Sequence, residues 1–181
     1  KDVEVIAENL KIPWEVVFIG NNEMLVTERP GNLLKIGAGK KTIKIDGVQH
    51  RGEGGLLGLV THPKFSENNL LYLYFTTKDG EGTINRVERY KLDNDKLTDK
   101  TVIVDKIPGA IYHDGGRMKF GPDGKLYITT GDANNQDNGQ KKDTLAAKIL
   151  RVNDDGSIPA DNPFGDAVWS YGHRNPQGLA F

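Results

Sequence analysis

A pattern that recurs about every 60 residues is the feature that most limits how this chain can fold. In each copy, Gly or Arg is followed by Leu or Met at the start of a short strand, which then leads into a turn. The copies begin at residues 58, 117 and 178, and Leu59, Met118 and Leu179 are the equivalent positions. A strand-rich repeat of this length predicts sheets arranged around a common axis, as in a β-propeller.

Short strand-like runs separated by turn residues fill most of the chain. The runs at 14–19, 24–27, 33–36, 70–76, 87–92 and 102–104 are predicted strands, and 143–149 is the one candidate for a brief helical turn. Glycine is abundant, at 22 of 181 residues, and the apolar spacing typical of helices is almost absent. The sequence therefore predicts an all-β protein.

The repeat count leaves the expected ring open. A shorter copy begins at Trp14, so the unit occurs three times before a fourth starts at 178–181. Residues 3–7 are predicted as an opening strand of the kind that completes the last blade in many propellers. We expect residues 1–181 to be roughly the first half of one propeller domain, with no separate second domain. The alternative is a self-contained protein of three sheets, which would leave 178–181 as an unpaired apolar strand.

Charge and composition exclude several classes of partner and chemistry. The chain has 24 basic and 25 acidic residues and a net charge of −1, so neither nucleic acid nor an anionic membrane surface is indicated. No apolar run approaches the roughly 18 residues that a membrane span needs. The absence of cysteine excludes disulfides, thiolate chemistry and Cys-ligated zinc, but it leaves the cellular compartment open.

A β-hairpin at 112–132 is predicted to bring a histidine and a carboxylate together. Its tight turn is Gly-Pro-Asp-Gly, and a ladder that pairs Phe120 with Lys125 places His113 opposite Asp132 when carried outward. Residues opposite each other on such a ladder are within side-chain reach. An imidazole whose tautomer is set by a carboxylate suits general-base catalysis on an alcohol.

Polar residues at equivalent repeat positions are predicted to join this pair at one mouth of the channel. His113 stands in register with Arg174, Asn175 follows directly, and Glu53 lies within one residue of the same place in the earlier repeat. The guanidinium fork and the amide donors favour an anionic, planar ligand. No Ser or Cys stands in register, so acyl chemistry lacks support, and a redox reaction here would need an organic cofactor.

Three segments, 51–65, 113–132 and 169–179, closely resemble the soluble quinoprotein glucose dehydrogenases, also called aldose sugar or glucose/sorbosone dehydrogenases. The resemblance spans essentially the whole chain. It implies a six-bladed β-propeller of four-stranded antiparallel blades, of which this chain supplies about three. It also implies oxidation of aldose sugars to lactones with pyrroloquinoline quinone (PQQ) and calcium, in a periplasmic or extracellular location.

The same resemblance implies roles for the residues at the mouth. His113 would remove the proton of the anomeric hydroxyl while hydride passes to the quinone, and Asp132 would orient it. Arg174 and Asn175 match the Arg-Asn pair that contacts the cofactor. Glu53 stands where relatives carry Gln or Glu beside both cofactor and substrate.

Other parts of the family site are less directly represented in this chain. Gln136 lies in a loop of variable length that approaches the sugar in relatives. Relatives supply the calcium ligands and further basic cofactor contacts from later blades, so no metal ligand is assigned here. The resemblance names no electron acceptor for this chain. We expect the 181-residue chain to be inactive as a monomer, and to work where a second copy or a partner chain completes the ring.

Two other functions remain open from the sequence. A propeller that serves as an extracellular binding module would keep the fold without the chemistry, although a binding surface does not need a base with its orienting carboxylate. A metal-dependent lactone hydrolase would need a ring of acidic and amide ligands around the axis. Its candidate ligands are Glu53, Asn175 and Asp132.

Overall fold

The computed structural model describes residues 3–181, and nearly all of its regular structure is β-strand. The strands are β1 (Pro13–Phe18), β2 (Met24–Glu28), β3 (Asn32–Ile36), β4 (Lys40–Lys44), β5 (Leu56–Thr61), β6 (Leu70–Asp79), β7 (Gly82–Asp93), β8 (Lys96–Pro108), β9 (Met118–Phe120), β10 (Leu126–Thr129), β11 (Lys148–Val152) and β12 (Val168–Tyr171). A one-turn helix, α1 (Phe65–Asn68), and a 3-10 helix, Gln136–Gly139, accompany them. No helix in the described range is long and apolar enough to cross a membrane.

The strands form three four-stranded antiparallel sheets, each made of strands that are consecutive in the chain. The first sheet contains β1 to β4, the second β5 to β8 and the third β9 to β12. The first strands of the sheets contact one another, β1 against β5 and β5 against β9. A cavity of about 510 Å³ beside them is lined by Leu59, Met118 and Leu179. These equivalent repeat positions therefore lie beside one another in the structure.

The second sheet lies between the other two, and its strand β6 is buried on both faces. On β6, Leu71, Leu73 and Phe75 belong to the apolar cluster shared with the first sheet. The alternate residues Tyr72 and Tyr74 belong to the cluster shared with the third sheet. Successive strand residues point to opposite faces, so this uninterrupted apolar run is what a doubly covered strand requires.

Glycines allow the inner strands to approach closely. A Cβ atom added to Gly58 on β5 would lie 2.0 Å from the carbonyl oxygen of Gly116, just before β9. A Cβ atom added to Gly55 would lie 2.3 Å from the carbonyl oxygen of Arg29. Real Cβ atoms do not approach a carbonyl oxygen so closely, so these glycines set the spacing between neighbouring sheets.

The 112–132 hairpin differs from its prediction by one residue. Phe120 pairs with Leu126 rather than with Lys125, and the ladder ends at the pair Met118 and Ile128. The reason lies in the turn, where the Gly121 amide donates to the Lys125 carbonyl (2.9 Å) and so keeps Lys125 within the loop. The loop is thus longer than the Gly-Pro-Asp-Gly sequence suggests.

One other local prediction is wrong. Residues 143–149 contain no helical turn: bends run to Ala147, whose φ of 61° is left-handed, and β11 begins directly after it. Residues 3–7 and 178–181 have no ladder partner in the described part of the chain, so their assignment to blades other than these three sheets stays a prediction. The six predicted strands are confirmed, although β7 and β8 are considerably longer than predicted.

Gly58→Ala is expected to destabilise the fold by about 1–3 kcal/mol, because the new methyl group overlaps the Gly116 carbonyl between two sheets. The control is Gly39→Ala, at a position where a Cβ would meet no atom within 4 Å. Chemical denaturation of both variants measures the difference. Equal free energies of unfolding in the two variants would show that this close approach does not set the sheet spacing.

Candidate active site

Segments that flank strands of the second and third sheets meet at one end of these sheets. The loop before β5 brings Glu53, the segment before β9 brings His113, and the segment after β12 brings Asn175. The His113 amide donates to Glu53 Oε2 at 2.8 Å, and Asn175 Nδ2 lies 3.4 Å from the same oxygen. Asn175 Oδ1 accepts from the Gly115 amide at 3.0 Å. These bonds join residues that are 60 and 122 positions apart.

His113 and Asp132 form a hydrogen-bonded pair within this site. His113 Nδ1 lies 2.8 Å from Asp132 Oδ1, and the side chains are 14% and 3% exposed. The Asn134 amide also donates to Asp132 Oδ1 (2.8 Å), and the Asp132 amide donates to the Arg174 carbonyl (2.8 Å). An ionised carboxylate can only accept a hydrogen bond, so in the neutral imidazole the proton lies on Nδ1 and the lone pair on Nε2.

The sequence predicted that the ladder would bring His113 and Asp132 together. The ladder instead ends at Met118 and Ile128, and the contact arises from the backbone conformation beyond it. The backbone at His113 is left-handed, with φ of 66°, and Gly115 and Gly116 follow at 67° and 107°. A Cβ atom on Gly131 would lie 1.7 Å from the His113 carbonyl oxygen. Left-handed backbone at a residue other than glycine costs about 1–3 kcal/mol and is concentrated at functional sites.

The remaining predicted site residues are placed less tightly. Arg174 has an exposed side chain that makes no hydrogen bond or ion pair with residues 3–181, while its carbonyl joins the site. Gln136 is exposed at the start of the 3-10 helix and makes no side-chain hydrogen bond within the described range. The structure therefore brings His113, Asp132, Glu53 and Asn175 together, with Arg174 beside them and Gln136 outside the contacts.

Two residues of the site region are absent from the sequence-based prediction. Asp114 is 1% exposed; its Oδ1 accepts from Asn85, and its Oδ2 is buried with no partner among the described residues. Burial raises the pKa of Asp114, against hydrogen bonds from Asn85 and the Ala110 amide. Arg29 donates from its guanidinium to the carbonyls of Gly52 and Gly54, on either side of Glu53. Asp114 occupies the same position in its repeat as Asn175 does in the next repeat. This equivalence could have identified Asp114 as a site residue from the sequence.

A buried lysine supports the loop that follows Asp132. Lys148 is fully buried and donates from Nζ to the carbonyls of Asn138 (2.9 Å) and Ala146 (2.6 Å). Asn138 Nδ2 in turn donates to the Asp132 carbonyl at 2.9 Å.

His173 has a lowered pKa, because its ring is partly buried and, secondarily, because the Lys148 charge is near. Its Nε2 forms a hydrogen bond with the Ser170 hydroxyl.

No group of three or more His, Cys, Asp or Glu residues within residues 3–181 is arranged to hold a metal ion. The described residues therefore contain no cluster of these side chains to which calcium can be assigned.

The chain was compared with protein families and with curated relatives. The sequence profile of the family described as Glucose / Sorbosone dehydrogenase matches residues 10–181. Aldose sugar dehydrogenase YliI of Escherichia coli (strain K12) is 35% identical over 99% of this chain and 53% of its own length. Quinoprotein glucose dehydrogenase B of Acinetobacter calcoaceticus is 33% identical over 99% of this chain and 46% of its own length.

Solved structures agree with these sequence matches. The PQQ-bound aldose sugar dehydrogenase of Streptomyces coelicolor superposes with a TM-score of 0.89 at 33% identity, over 97% of this chain and 55% of that structure. The three sheets therefore correspond to part of the fold of these dehydrogenases, and the predicted partial β-propeller is confirmed. The chain spans about half the length of the curated relatives it matches.

His173→Gln is expected to flatten the loss of stability in acid. Since the pKa of His173 is lowered in the folded state, the unfolded chain binds this proton more readily. The stability that depends on neutral His173 is complete above the unfolded pKa of about 6.5 and is lost as the pH falls below it. Denaturant unfolding at about pH 7.5 and about pH 5 measures this difference. Parallel losses in the wild type and the variant would contradict it.

Proposed function

We propose that this chain, which belongs to the glucose/sorbosone dehydrogenase family, provides part of a PQQ-dependent enzyme. That enzyme would oxidise aldose sugars to lactones. The observation that carries the proposal is the His113–Asp132 pair, whose Nε2 is free to accept a proton. The S. coelicolor structure contains bound PQQ, and we extend this cofactor to the present chain.

His113 is proposed as the general base. Its Nε2 takes the proton of the anomeric hydroxyl, and the electron pair of that O–H bond forms the lactone carbonyl as the C1–H bond breaks. PQQ, when bound, supplies the quinone that accepts the departing hydride and its two electrons. One proton and one hydride thus leave the sugar, which balances the two-electron oxidation.

Asp132 is proposed to act through His113. Its carboxylate accepts the hydrogen bond from Nδ1, which in the neutral ring places the lone pair on Nε2, on the side away from Asp132. When Nε2 accepts the proton, the same carboxylate stabilises the imidazolium. The Asn134 and Arg174 backbone contacts keep Asp132 in place for this task.

The chain's donors fit an anionic, planar cofactor such as PQQ, which carries several carboxylates. Arg174 presents an exposed guanidinium that has no partner among residues 3–181, and a guanidinium matches a carboxylate with two parallel hydrogen bonds. Asn175, beside it, is proposed as a second cofactor contact. Glu53 is proposed to contact both the cofactor and the sugar, and the exposed Gln136 the sugar alone.

Further parts of the proposal follow the family resemblance. Calcium is proposed to accompany the cofactor, but the described residues offer no ligand set for it, and no step is derived through it. We also propose a periplasmic or extracellular location. Completion of the ring by a second copy or a partner chain, and an electron acceptor of unassigned chemistry, belong to the same proposal.

His113→Gln is expected to leave PQQ affinity within about twofold and to lower turnover about a hundredfold or more, because the amide cannot accept the hydroxyl proton. Turnover is followed by reduction of a dye with glucose as substrate. The matched control is His62→Gln, since His62 accepts a local hydrogen bond from the Lys64 amide. Unchanged turnover in His113→Gln would remove His113 from the reaction.

Arg174→Ala is expected to weaken PQQ binding about tenfold or more, because a charged hydrogen-bond donor to the cofactor is lost. An absorbance titration with PQQ, followed by glucose, measures both binding and quinone reduction. Arg51→Ala is the control, since it removes an exposed positive charge from the neighbouring loop. Wild-type affinity in Arg174→Ala would contradict the assignment of Arg174 as a cofactor contact. Reduction of bound quinone by glucose in the wild type would show that the ring is completed by association.

A further inference from the structure

We infer that Thr76 and Asn85, two buried polar residues in the second sheet, are positioning residues that hold the Glu53 loop and the His113 segment in one arrangement. Thr76 on β6 pairs with Asn85 on β7, and their exposed fractions are 1% and 0%. Neither side chain forms a hydrogen bond with Glu53 or His113. The relevance of this inference to catalysis rests on the proposed function. The contacts that support the inference are independent of that function.

Thr76 anchors the loop that carries Glu53. Its hydroxyl oxygen accepts the Gly55 amide at 3.1 Å, and the hydroxyl donates to Asn85 Oδ1 at 2.7 Å. Its backbone amide donates to the Gly55 carbonyl (2.9 Å), and its carbonyl accepts from the Gln49 amide (2.8 Å). The chain is therefore bound to Thr76 on both sides of Glu53.

Asn85 anchors the segment that carries His113. Its Nδ2 donates to Asp114 Oδ1 at 2.9 Å and to the Pro108 carbonyl at 3.3 Å. Asp114 follows His113 directly, and its carbonyl accepts the Tyr74 hydroxyl at 2.6 Å. Asn85 thus connects Thr76 to the residue next to the proposed base.

The Gly55 amide sets the direction of these hydrogen bonds. A backbone amide can only donate, so the Thr76 oxygen accepts from Gly55 and its proton is left to donate to Asn85 Oδ1. That bond turns the amide nitrogen of Asn85 towards Asp114 and Pro108, both of which offer acceptors. Hydrogen bonds aligned in this way polarise and strengthen one another.

Stability alone is a poor explanation for these two residues. Burying polar groups in an apolar sheet costs free energy unless each is hydrogen-bonded, and apolar residues of similar shape can be equally stable. Two bonds link the loops directly: the His113 amide donates to Glu53 Oε2, and the Glu53 amide donates to the Ile111 carbonyl (2.8 Å). Thr76 and Asn85 provide a further link behind these two, which restricts how far the proposed base can move relative to Glu53.

Thr76→Val tests this inference, because it keeps the shape but leaves Gly55 and Asn85 Oδ1 without their partner. Thr76→Ser keeps the hydroxyl. The matched control is Thr27→Val: Thr27 is also fully buried, and its hydroxyl bonds to the Glu15 amide (3.0 Å) and the Leu57 carbonyl (2.7 Å). Amide hydrogen exchange and the imidazole nitrogen shifts of His113 are measured by NMR on the chain without ligand.

Thr76→Val is expected to speed exchange of the His113 amide about tenfold and to move the imidazole shifts, whereas Thr76→Ser and Thr27→Val stay within about twofold. Wild-type exchange in Thr76→Val, an equal change in Thr27→Val, or no rescue by serine would overturn the inference.

The wild-type chain offers a second measurement that does not require a folded variant. The Gly55 and His113 amides should show the same dependence of exchange on denaturant, because the linked loops would open together. Different dependences would overturn the inference. Since no cofactor or sugar is used, failure to bind PQQ would count against the proposed function alone.

Discussion

The close approach of the inner strands is the constraint on which the rest of this structure depends. Gly58 lies against the Gly116 carbonyl, and Gly55 lies against the Arg29 carbonyl, at places where no Cβ atom could fit. This spacing lets β6 bury tyrosines on one face and leucines on the other. It also brings the segments at the strand ends near enough to share hydrogen bonds, so the sheet packing and the site have the same physical origin.

The site is built where the chain leaves regular structure. The ladder of the third sheet does not extend to His113. Left-handed backbone at His113, Gly115 and Gly116 brings this segment to Glu53 and Asp132. Such backbone is unfavourable in isolation and persists because surrounding contacts hold it. Those contacts include the buried Thr76 and Asn85 pair on one side and Lys148, through Asn138, on the other. A proposed base with so many supports is pre-organised before any ligand arrives.

Sequence patterns predicted much of this, and the misses have identifiable causes. The 60-residue repeat identified Leu59, Met118 and Leu179 as equivalent, and they line one cavity. The hairpin register was wrong by one because Lys125 stays within the turn, an effect of one backbone hydrogen bond. Thr76, Asn85 and Lys148 were missed because each looks like an ordinary strand residue. The catalytic and binding roles, the six-blade count and the single-domain organisation stay predictions.

The sequence by itself determined the all-β class, the repeating unit of about 60 residues and the family, because repeats and motifs are patterns of residue type along the chain. The repeat register predicted which polar residues would meet, and tertiary structure alone decided which of their atoms form hydrogen bonds. Glu53, His113 and Asn175 are 60 and 122 positions apart, and their contacts depend on sheet spacing to within about an ångström, since hydrogen bonds weaken steeply beyond their narrow range of distances. The same holds for Thr76 and Asn85, whose side chains acquire partners only after the second sheet is packed between its neighbours.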